Sequence, residues 1–376
     1  MFKNFTFLSI LFLYAVGFSQ SPNLSANTEV SILTCGRGEE LYSTFGHTAL
    51  RVKDSVNQLD VVYNYGYFDF RAENFYLKFV KGDLQYFMNV TSFEDFVFEY
   101  QSDKREVIEQ TLNLPLEKKQ EVFDALNTAL LSKDRFYTYK FIDRNCTTMI
   151  VEKINGLYGK NEIQKLDDKT ISYRTLLYPY FENYFWYKLG INSVFGAKTD
   201  HKAEKLFLPT ELMHSLDQAK YNGKPLVSGT RTVVIGEEIA PNFSFFNSIF
   251  LICVILLILI SINKRFLFNI YLFLCGFFGL FLCLIGLYSE HQELLWNYNA
   301  LLFNPLFVLI PFVSKISLKK LNSALLLMLV IYTIIMLTKS HLVIMFPFIL
   351  AHVYILLKMI NSNPLGLLPS IKKNRT

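Results

Sequence analysis

The fold of this chain is decided first by an uncharged stretch that runs from Phe266 to Tyr288, FLFNIYLFLCGFFGLFLCLIGLY. About 20 apolar residues in a helix are long enough to cross the hydrocarbon core of a bilayer. Four further apolar segments lie at 244–262, 299–314, 321–338 and 342–360. The C-terminal part is therefore predicted to be an all-α transmembrane domain of five helices.

Lys and Arg in the short loops indicate how these helices are oriented. Basic residues follow the first and third segments and end the chain, at Lys264, Arg265, Lys315, Lys319, Lys320, Lys358, Lys372, Lys373 and Arg375. In the loops after the second and fourth segments, Lys339 is the single basic residue. Because basic loops remain in the cytoplasm, an odd number of crossings exports everything before the first span. The C-terminus is then predicted to be cytoplasmic.

The composition changes along the chain and divides it into regions. Lys3, the apolar run 5–16 and the small residues Gly17 and Ser19 predict a signal peptide that is cut before Gln20. The alternative is an uncleaved first helix, although its apolar run is short for a span. The predicted regions are a signal peptide at 1–19, an exported domain at 20–242, a transmembrane domain at 243–362 and a basic tail at 363–376. The net charge of +5 includes no basic run typical of nucleic-acid binding.

The exported region has the mixed pattern of an α+β domain. Alternating or β-branched stretches predict strands at 30–34, 48–52 and 61–70. Apolar residues at helical spacing predict a helix over 116–132, and a second helix is expected to begin near Asn145. We find no internal repeat and no phosphate-binding glycine loop.

Scarcity of reactive side chains narrows the chemistry of this region. Between residues 20 and 242 it contains two cysteines, Cys35 and Cys146, and three histidines, His47, His201 and His214. No zinc-ligand spacing and no GxSxG motif is present, so that a Cys/His pair is the best candidate for catalysis.

The sequence around Cys146 and His47 favours such a pair. Asn145 is a good N-cap, which places Cys146 in the first turn of a helix, where free backbone N–H groups stabilise a thiolate. His47 follows Gly46 at the start of a predicted strand, and Asn64 on the next strand is the candidate that orients its ring. Cys146 is thus the predicted nucleophile and His47 the base.

Two alternatives keep Cys146 out of catalysis. Free cysteines are often buried simply as packing residues. In an oxidising compartment Cys35 and Cys146 could instead form a disulfide, which would remove the nucleophile.

One predicted outward loop, at 289–299, carries polar residues that membrane anchoring does not explain. Trp296 and Tyr298 are typical anchors at a membrane surface. His291, Asn297 and the nearby Asn304 are not, and polar groups at membrane depth are frequently functional. We take His291, Asn297 and Asn299, together with Arg51 and Arg144, as candidates for substrate binding.

Three blocks carry a specific resemblance to a known family. The blocks ELYSTFGHTALRV (40–52), VYNYGYFDF (62–70) and RNCTT (144–148) resemble those of the Lnb-type lipoprotein N-acyltransferases. The resemblance implies a circularly permuted papain-like domain of the NlpC/P60 type, in which His precedes Cys. It places the protein in the inner membrane with this domain in the periplasm.

The resemblance also implies the reaction. Cys146 would accept an acyl chain from a membrane phospholipid as a thioester, and the chain would pass to the α-amino group of a lipoprotein's lipid-modified N-terminal cysteine. This is a ping-pong mechanism. No metal and no soluble cofactor is implied, and no nucleic-acid partner is expected.

Two other functions remain open from the sequence. Relatives of the papain-like class include cysteine peptidases and amidases that act on cell-wall peptides, and a tethered enzyme of that kind would share the Cys/His pair. A non-catalytic membrane scaffold with a structural Cys146 is the third possibility.

Overall fold

The structure is a computed structural model that describes residues 22–158, 163–237, 240 and 242–361. The predicted signal peptide with its cleavage position and the predicted basic tail lie outside the described residues.

The N-terminal part is built on a seven-stranded antiparallel sheet with the strand order β6-β4-β3-β2-β1-β5-β9. Its strands are β1 (Glu29–Cys35), β2 (His47–Asp54), β3 (Leu59–Tyr67), β4 (Gln85–Ser92), β5 (Val107–Leu112), β6 (Phe136–Thr138) and β9 (Val227–Val234). A separate two-stranded ribbon pairs β7 (Lys220–Tyr221) with β8 (Lys224–Pro225). The three predicted strands are confirmed, as β1, β2 and β3.

Helices cover both faces of this sheet. The helices of the N-terminal part are α1 (Phe75–Lys81), α2 (Phe93–Ser102), α3 (Leu116–Leu131), α4 (Cys146–Tyr158), α5 (Tyr173–Leu176), α6 (Phe185–Val194) and α7 (Pro209–Gln218). One face forms the main core with α1, α3, α4 and α7, and the other packs against α2 in a smaller core. The predicted helices at 116–132 and from Asn145 are confirmed as α3 and α4, which gives the predicted α+β class.

The C-terminal part is helical, but not all of its helices are long. They are α8 (Ile249–Ile262), α9 (Arg265–Tyr288), α10 (Asn299–Leu302), α11 (Lys315–Met336) and α12 (Leu342–Asn361). Among the described residues, three helices are long and apolar enough to cross a membrane, at Arg265–Tyr288, Ser317–Met336 and Leu342–Asn361. Three of the five predicted spans therefore have the required length, whereas α8 has only 14 residues.

The third predicted span, 299–314, is not a single helix. It consists of α10, which has 4 residues, and a 3-10 helix at Pro305–Leu309. Pro305 has no N–H to continue a helix, and Asn304 Oδ1 instead accepts a hydrogen bond from the Leu306 N–H at 3.0 Å. Gly279 allows this segment to pack directly against the backbone of α9, because a Cβ at Gly279 would lie 1.4 Å from the Phe303 carbonyl oxygen.

Candidate active site

Cys146 is the first residue of α4, and its neighbours fix that helix end. The Thr148 N–H donates to Asn145 Oδ1 at 3.0 Å, and the Asn145 N–H donates to Thr148 Oγ1 at 2.8 Å. This reciprocal cap is a capping box. The Asn145 amide also donates to the carbonyl oxygens of Phe141 and Phe207, each at 2.9 Å. The predicted N-cap is confirmed, and it fixes Cys146 in the first turn of α4.

His47 and Asn64 lie on neighbouring strands beside this helix end. β2 begins at His47, and Asn64 of β3 pairs with Ala49 two residues further along β2. His47 Nε2 is 3.3 Å from Asn64 Oδ1. If Nε2 donates this hydrogen bond, Nδ1 remains for the Cys146 thiol. The structure thus brings together the three residues that the sequence selected as nucleophile, base and orienting group.

Electrostatics favour ionisation of Cys146. Burial raises the pKa of its thiol. The charge of His47 and hydrogen bonds from His47, the Thr48 N–H and Thr147 lower the pKa by more than burial raises it. The net pKa therefore lies below its ordinary value. A lowered thiol pKa is the property that a nucleophilic cysteine requires, because the thiolate is the attacking species.

Cys35 has the opposite environment. It is 2% exposed, and burial raises the pKa of its thiol to about 12. Both Cys35 and Cys146 are free thiols in the structure. Of the two, Cys146 has the environment of a reactive cysteine, and Cys35 that of a packing residue.

Gly66 lies beside both His47 and Cys146, in a backbone conformation that requires glycine. It lies at a bulge of β3 with a φ of 111°, and a Cβ there would be 3.9 Å from His47 Cε1 and 4.0 Å from Cys146 Cβ. Only glycine adopts this backbone conformation without strain.

Gly66→Ala is therefore expected to destabilise the protein by at least about 1 kcal/mol and to slow alkylation of Cys146. The measurements are thermal unfolding and the rate of iodoacetamide labelling. Gly229→Ala in β9 is the matched control, because a Cβ there meets nothing within 4 Å. Equal effects of the two substitutions would contradict a special role for Gly66.

Two tyrosines beside Cys146 were missed at the sequence level. Burial, and then the negative charge of Cys146, raise the pKa of both Tyr137 and Tyr139. The Tyr137 hydroxyl is buried and has no hydrogen-bond partner among the described protein groups. The sequence contained a signal for them. Tyr137 and Tyr139 are two positions apart shortly before Cys146, and side chains at that spacing in an extended chain point to the same side.

The two arginine candidates have different surroundings. Arg51 is buried, donates to both carboxylate oxygens of Asp60 at 2.7 Å, and reaches Glu109 at 3.0 Å. Its guanidinium also lies 3.2 Å from the centre of the Phe93 ring. These contacts occupy Arg51, and the structure does not bring it to Cys146. Arg144 is exposed next to Cys146 and stands 5.4 Å from the centre of the Tyr137 ring.

The three candidates in the loop at 289–299 also have different surroundings. His291 lines a cleft with Tyr139, and its Nε2 is 3.0 Å from the Phe79 carbonyl oxygen. The side-chain amides of Asn297 and Asn299 instead donate to carbonyl oxygens at the end of α6, including that of Ser193. These two asparagines fasten the N-terminal part to the membrane helices and do not face Cys146.

Glu293 is a residue of the same loop that sequence analysis missed. It is 2% exposed, and its Oε1 is 3.2 Å from Lys198 Nζ. Lys198 in turn pairs with Asp143, which also pairs with Lys205. Because Asp143 lies three residues before Cys146, this chain of charges connects the loop to the segment that presents the thiol.

A nucleophile at a helix N-terminus, a histidine and an amide that orients it can perform acyl transfer through a thioester. Among the residues that the structure describes, no group of three or more His, Cys, Asp or Glu side chains is placed to hold a metal ion.

Comparison with known proteins finds a family similarity in the N-terminal part. Residues 19–178 match the family model of the Lnb N-terminal periplasmic domain. No curated protein and no solved structure matches the chain. The matched range includes His47, Asn64 and Cys146, and it ends before the membrane helices.

Proposed function

On the premise that residues 19–178 are an Lnb N-terminal periplasmic domain, we propose that this membrane protein is a lipoprotein N-acyltransferase. It moves an acyl chain from a phospholipid to the α-amino group of a lipid-modified N-terminal cysteine. The observation that carries the proposal is the Cys146–His47–Asn64 arrangement in a domain fastened to membrane helices.

In the first half-reaction Cys146 takes the acyl chain. His47 holds the thiol proton while the sulfur attacks the ester carbonyl carbon, and a C–S bond forms. The C–O bond then breaks, and His47 returns the proton to the departing glycerol oxygen. The products are an acyl thioester on Cys146 and a lysophospholipid.

In the second half-reaction the amine attacks the thioester. His47 accepts a proton from the attacking nitrogen, an amide C–N bond forms, and the C–S bond breaks to regenerate Cys146. In both steps the developing oxyanion is stabilised by the Cys146 N–H at the helix end. The buried, unpartnered hydroxyl of Tyr137 is our candidate for the second donor.

The proposed topology has the domain in the periplasm, the protein in the inner membrane and the C-terminus in the cytoplasm. Contacts at the helix ends support it. Just before α8, the Phe246 carbonyl accepts a hydrogen bond from Trp186 at 3.0 Å. Just after α9, the Glu290 N–H donates to the Lys81 carbonyl at 2.6 Å. The start of α8 and the end of α9 therefore lie against the domain. The loop with Lys264 and Arg265 joins the end of α8 to the start of α9, on the side away from the domain.

We further propose that the domain is a permuted papain-like fold of the NlpC/P60 type. The order of His47 on a strand before Cys146 at a helix N-terminus supports this assignment, as does Asn64 on the adjacent strand. A cell-wall amidase would use the same residues, but three membrane-length helices suit an enzyme whose two substrates both reside in the bilayer.

The test is a transfer assay with the full-length protein in detergent. Phospholipid with an isotope-labelled acyl chain is the donor, and a synthetic diacylglyceryl-cysteine peptide is the acceptor. Mass spectrometry is expected to show one labelled acyl group on the peptide amine. With an N-acetylated acceptor as control, the label should accumulate on Cys146 instead. A peptide amine that stays free, together with cleavage of a cell-wall peptide, would favour the amidase.

A further inference from the structure

The short helix α1 (Phe75–Lys81) projects from the periplasmic domain. Residues in the left-handed backbone conformation bound it on both sides, Asn74 with a φ of 55° and Gly82 with a φ of 78°. Phe75 is buried, whereas every position from 76 to 80 is exposed. Most of the surface of α1 is therefore available for contact with something outside the domain.

The exposed surface of α1 has an apolar side and a basic side. Its exposed apolar side chains lie at positions i, i+1, i+3 and i+4, which fall within about 160° around a helix: Tyr76, Leu77, Phe79 and Val80. Their exposure ranges from 39% for Val80 to 77% for Tyr76. Lys78 and Lys81 lie outside this arc. An apolar face opposite lysines is typical of helices that lie in the surface plane of a membrane, where the lysines extend to the lipid phosphates.

The end of α1 is hydrogen-bonded to the end of a membrane-length helix. α9 is long and apolar enough to cross a membrane, and its last turn exposes Leu287. Immediately beyond α9, the Glu290 N–H donates to the Lys81 carbonyl at 2.6 Å, and His291 Nε2 is 3.0 Å from the Phe79 carbonyl oxygen. α1 therefore lies at the level where α9 leaves the bilayer.

Lys140 connects this junction to the segment that carries the thiol. Its Nζ donates to the carbonyl oxygen of Gly82 at 3.0 Å and to that of Glu290 at 3.2 Å. The backbone N–H and carbonyl groups of Lys140 and Arg144 bond to each other in both directions, at 3.0 and 2.8 Å, so that the two residues close a turn. Cys146 follows two residues after this turn. Hydrogen bonds through one lysine thus join the end of α1, the loop after α9 and the turn before the nucleophile.

We propose that α1 lies in the periplasmic surface of the bilayer, with its apolar side chains among the lipids, and that it holds Cys146 at the height of the phospholipid esters. Exposed apolar patches mark contacts with proteins or membranes. Lipid already surrounds the end of α9, so it meets the apolar side of α1 without recruitment of another protein. The membrane contact is independent of the proposed function, whereas presentation of the thiol to phospholipid rests on it.

Quenching of tryptophan fluorescence by brominated phospholipid tests the contact without requiring turnover. The full-length protein has two tryptophans, Trp186 and Trp296, which are both replaced by Phe. Leu77→Trp is added to this background, and the protein is reconstituted into phosphatidylcholine vesicles with bromine near the glycerol end of one acyl chain. Relative to unbrominated vesicles, the emission is expected to fall at least about twofold, because the apolar face of an interfacial helix enters the boundary between headgroups and acyl chains.

Val56→Trp in the same background is the matched control. Val56 is 62% exposed and Leu77 60%, so the two positions are equally accessible in the protein. Val56 lies in the turn before β3, whereas α1 follows the other end of that strand, and the 9 residues of β3 span about 27 Å. The emission of Val56→Trp should be the same in both kinds of vesicle. Unquenched emission of Leu77→Trp would overturn the proposal, and so would equal quenching at the two positions.

A second experiment tests whether α1 presents the thiol to lipid. Combined Leu77→Ser and Val80→Ser substitutions remove two apolar side chains from the bilayer surface. Thioester formation on Cys146 from phospholipid in vesicles is expected to slow at least about tenfold, because less apolar area draws α1 into the membrane. Alkylation of Cys146 by water-soluble iodoacetamide should keep its wild-type rate, since damage to the site itself would slow both reactions. Val56→Ser is the control and should change neither rate.

The possible outcomes separate this inference from the proposed function. If thioesters form on the wild-type protein and the Leu77→Ser, Val80→Ser variant forms them equally fast, α1 does not position the thiol. If the wild-type protein forms no thioester, the proposed function fails. The fluorescence of Leu77→Trp still decides in that case whether α1 contacts the bilayer.

Discussion

Cys146→Ala is expected to abolish the acyl-enzyme and to reduce N-acylation of the acceptor peptide by at least about 10³-fold. The thiol is the atom to which the acyl chain bonds, and no neighbouring side chain can replace it at the N-terminus of α4. The measurement is the mass of the intact protein after incubation with labelled phospholipid, followed by the yield of triacylated peptide.

Cys35→Ala is the control for this experiment. Cys35 is buried with its thiol pKa raised to about 12, so its removal should leave the thioester in place. The same control decides between a free nucleophile and a disulfide. Loss of the thioester in Cys35→Ala protein that remains folded, or a full thioester in Cys146→Ala protein, would contradict the assignment.

His47→Ala is expected to shift the ionisation of Cys146 to higher pH and to slow acyl transfer about 10²- to 10⁴-fold. Burial raises the pKa of the thiol, and His47 provides the largest opposing contributions, its charge and its hydrogen bond. Without His47, burial loses its two largest opposing contributions, so the pKa of the thiol is expected to rise. Below that pKa, each unit of increase lowers the thiolate fraction about tenfold.

The rate of iodoacetamide alkylation as a function of pH measures this shift. The wild-type rate should reach its plateau below the pH at which an ordinary thiol does so, and the variant's plateau should begin at higher pH. His214→Ala is the control, since His214 is exposed and contacts Asp167 far along the chain from the site. An unchanged pH profile in His47→Ala would show that the two residues do not interact.

Local signals were sufficient to find the central residues of the site. Asn145 was identified as an N-cap because capping depends on residues within one turn. His47 and Asn64 were placed on adjacent strands because alternation and a short connection predict an antiparallel pair. Each of these predictions depends on only a few consecutive residues, and each agrees with the position of the residue in the structure.

Residue chemistry alone was a poor guide to substrate binding. Arg51 is a substrate-binding candidate by sequence, but it is paired with Asp60 and Glu109, which are 9 and 58 residues away in the chain. Asn299 looked like a group exposed at membrane depth, but it is buried and bonded to Ser193 and Tyr332. A polar side chain shows that a partner is needed, and only the fold shows whether that partner is another part of the chain.

The sequence by itself predicted an α+β domain followed by membrane helices, and it selected Cys146 and His47 as the candidate reactive pair. Those properties depend on composition and on short-range periodicity. Tertiary structure alone decided that the segment at 299–309 is broken and packed on Gly279, that Glu293 is linked through Lys198 to Asp143 before Cys146, and that His291 contacts the Phe79 carbonyl of α1. Such features arise where residues far apart in the chain come within a few ångströms, and no local pattern encodes that approach.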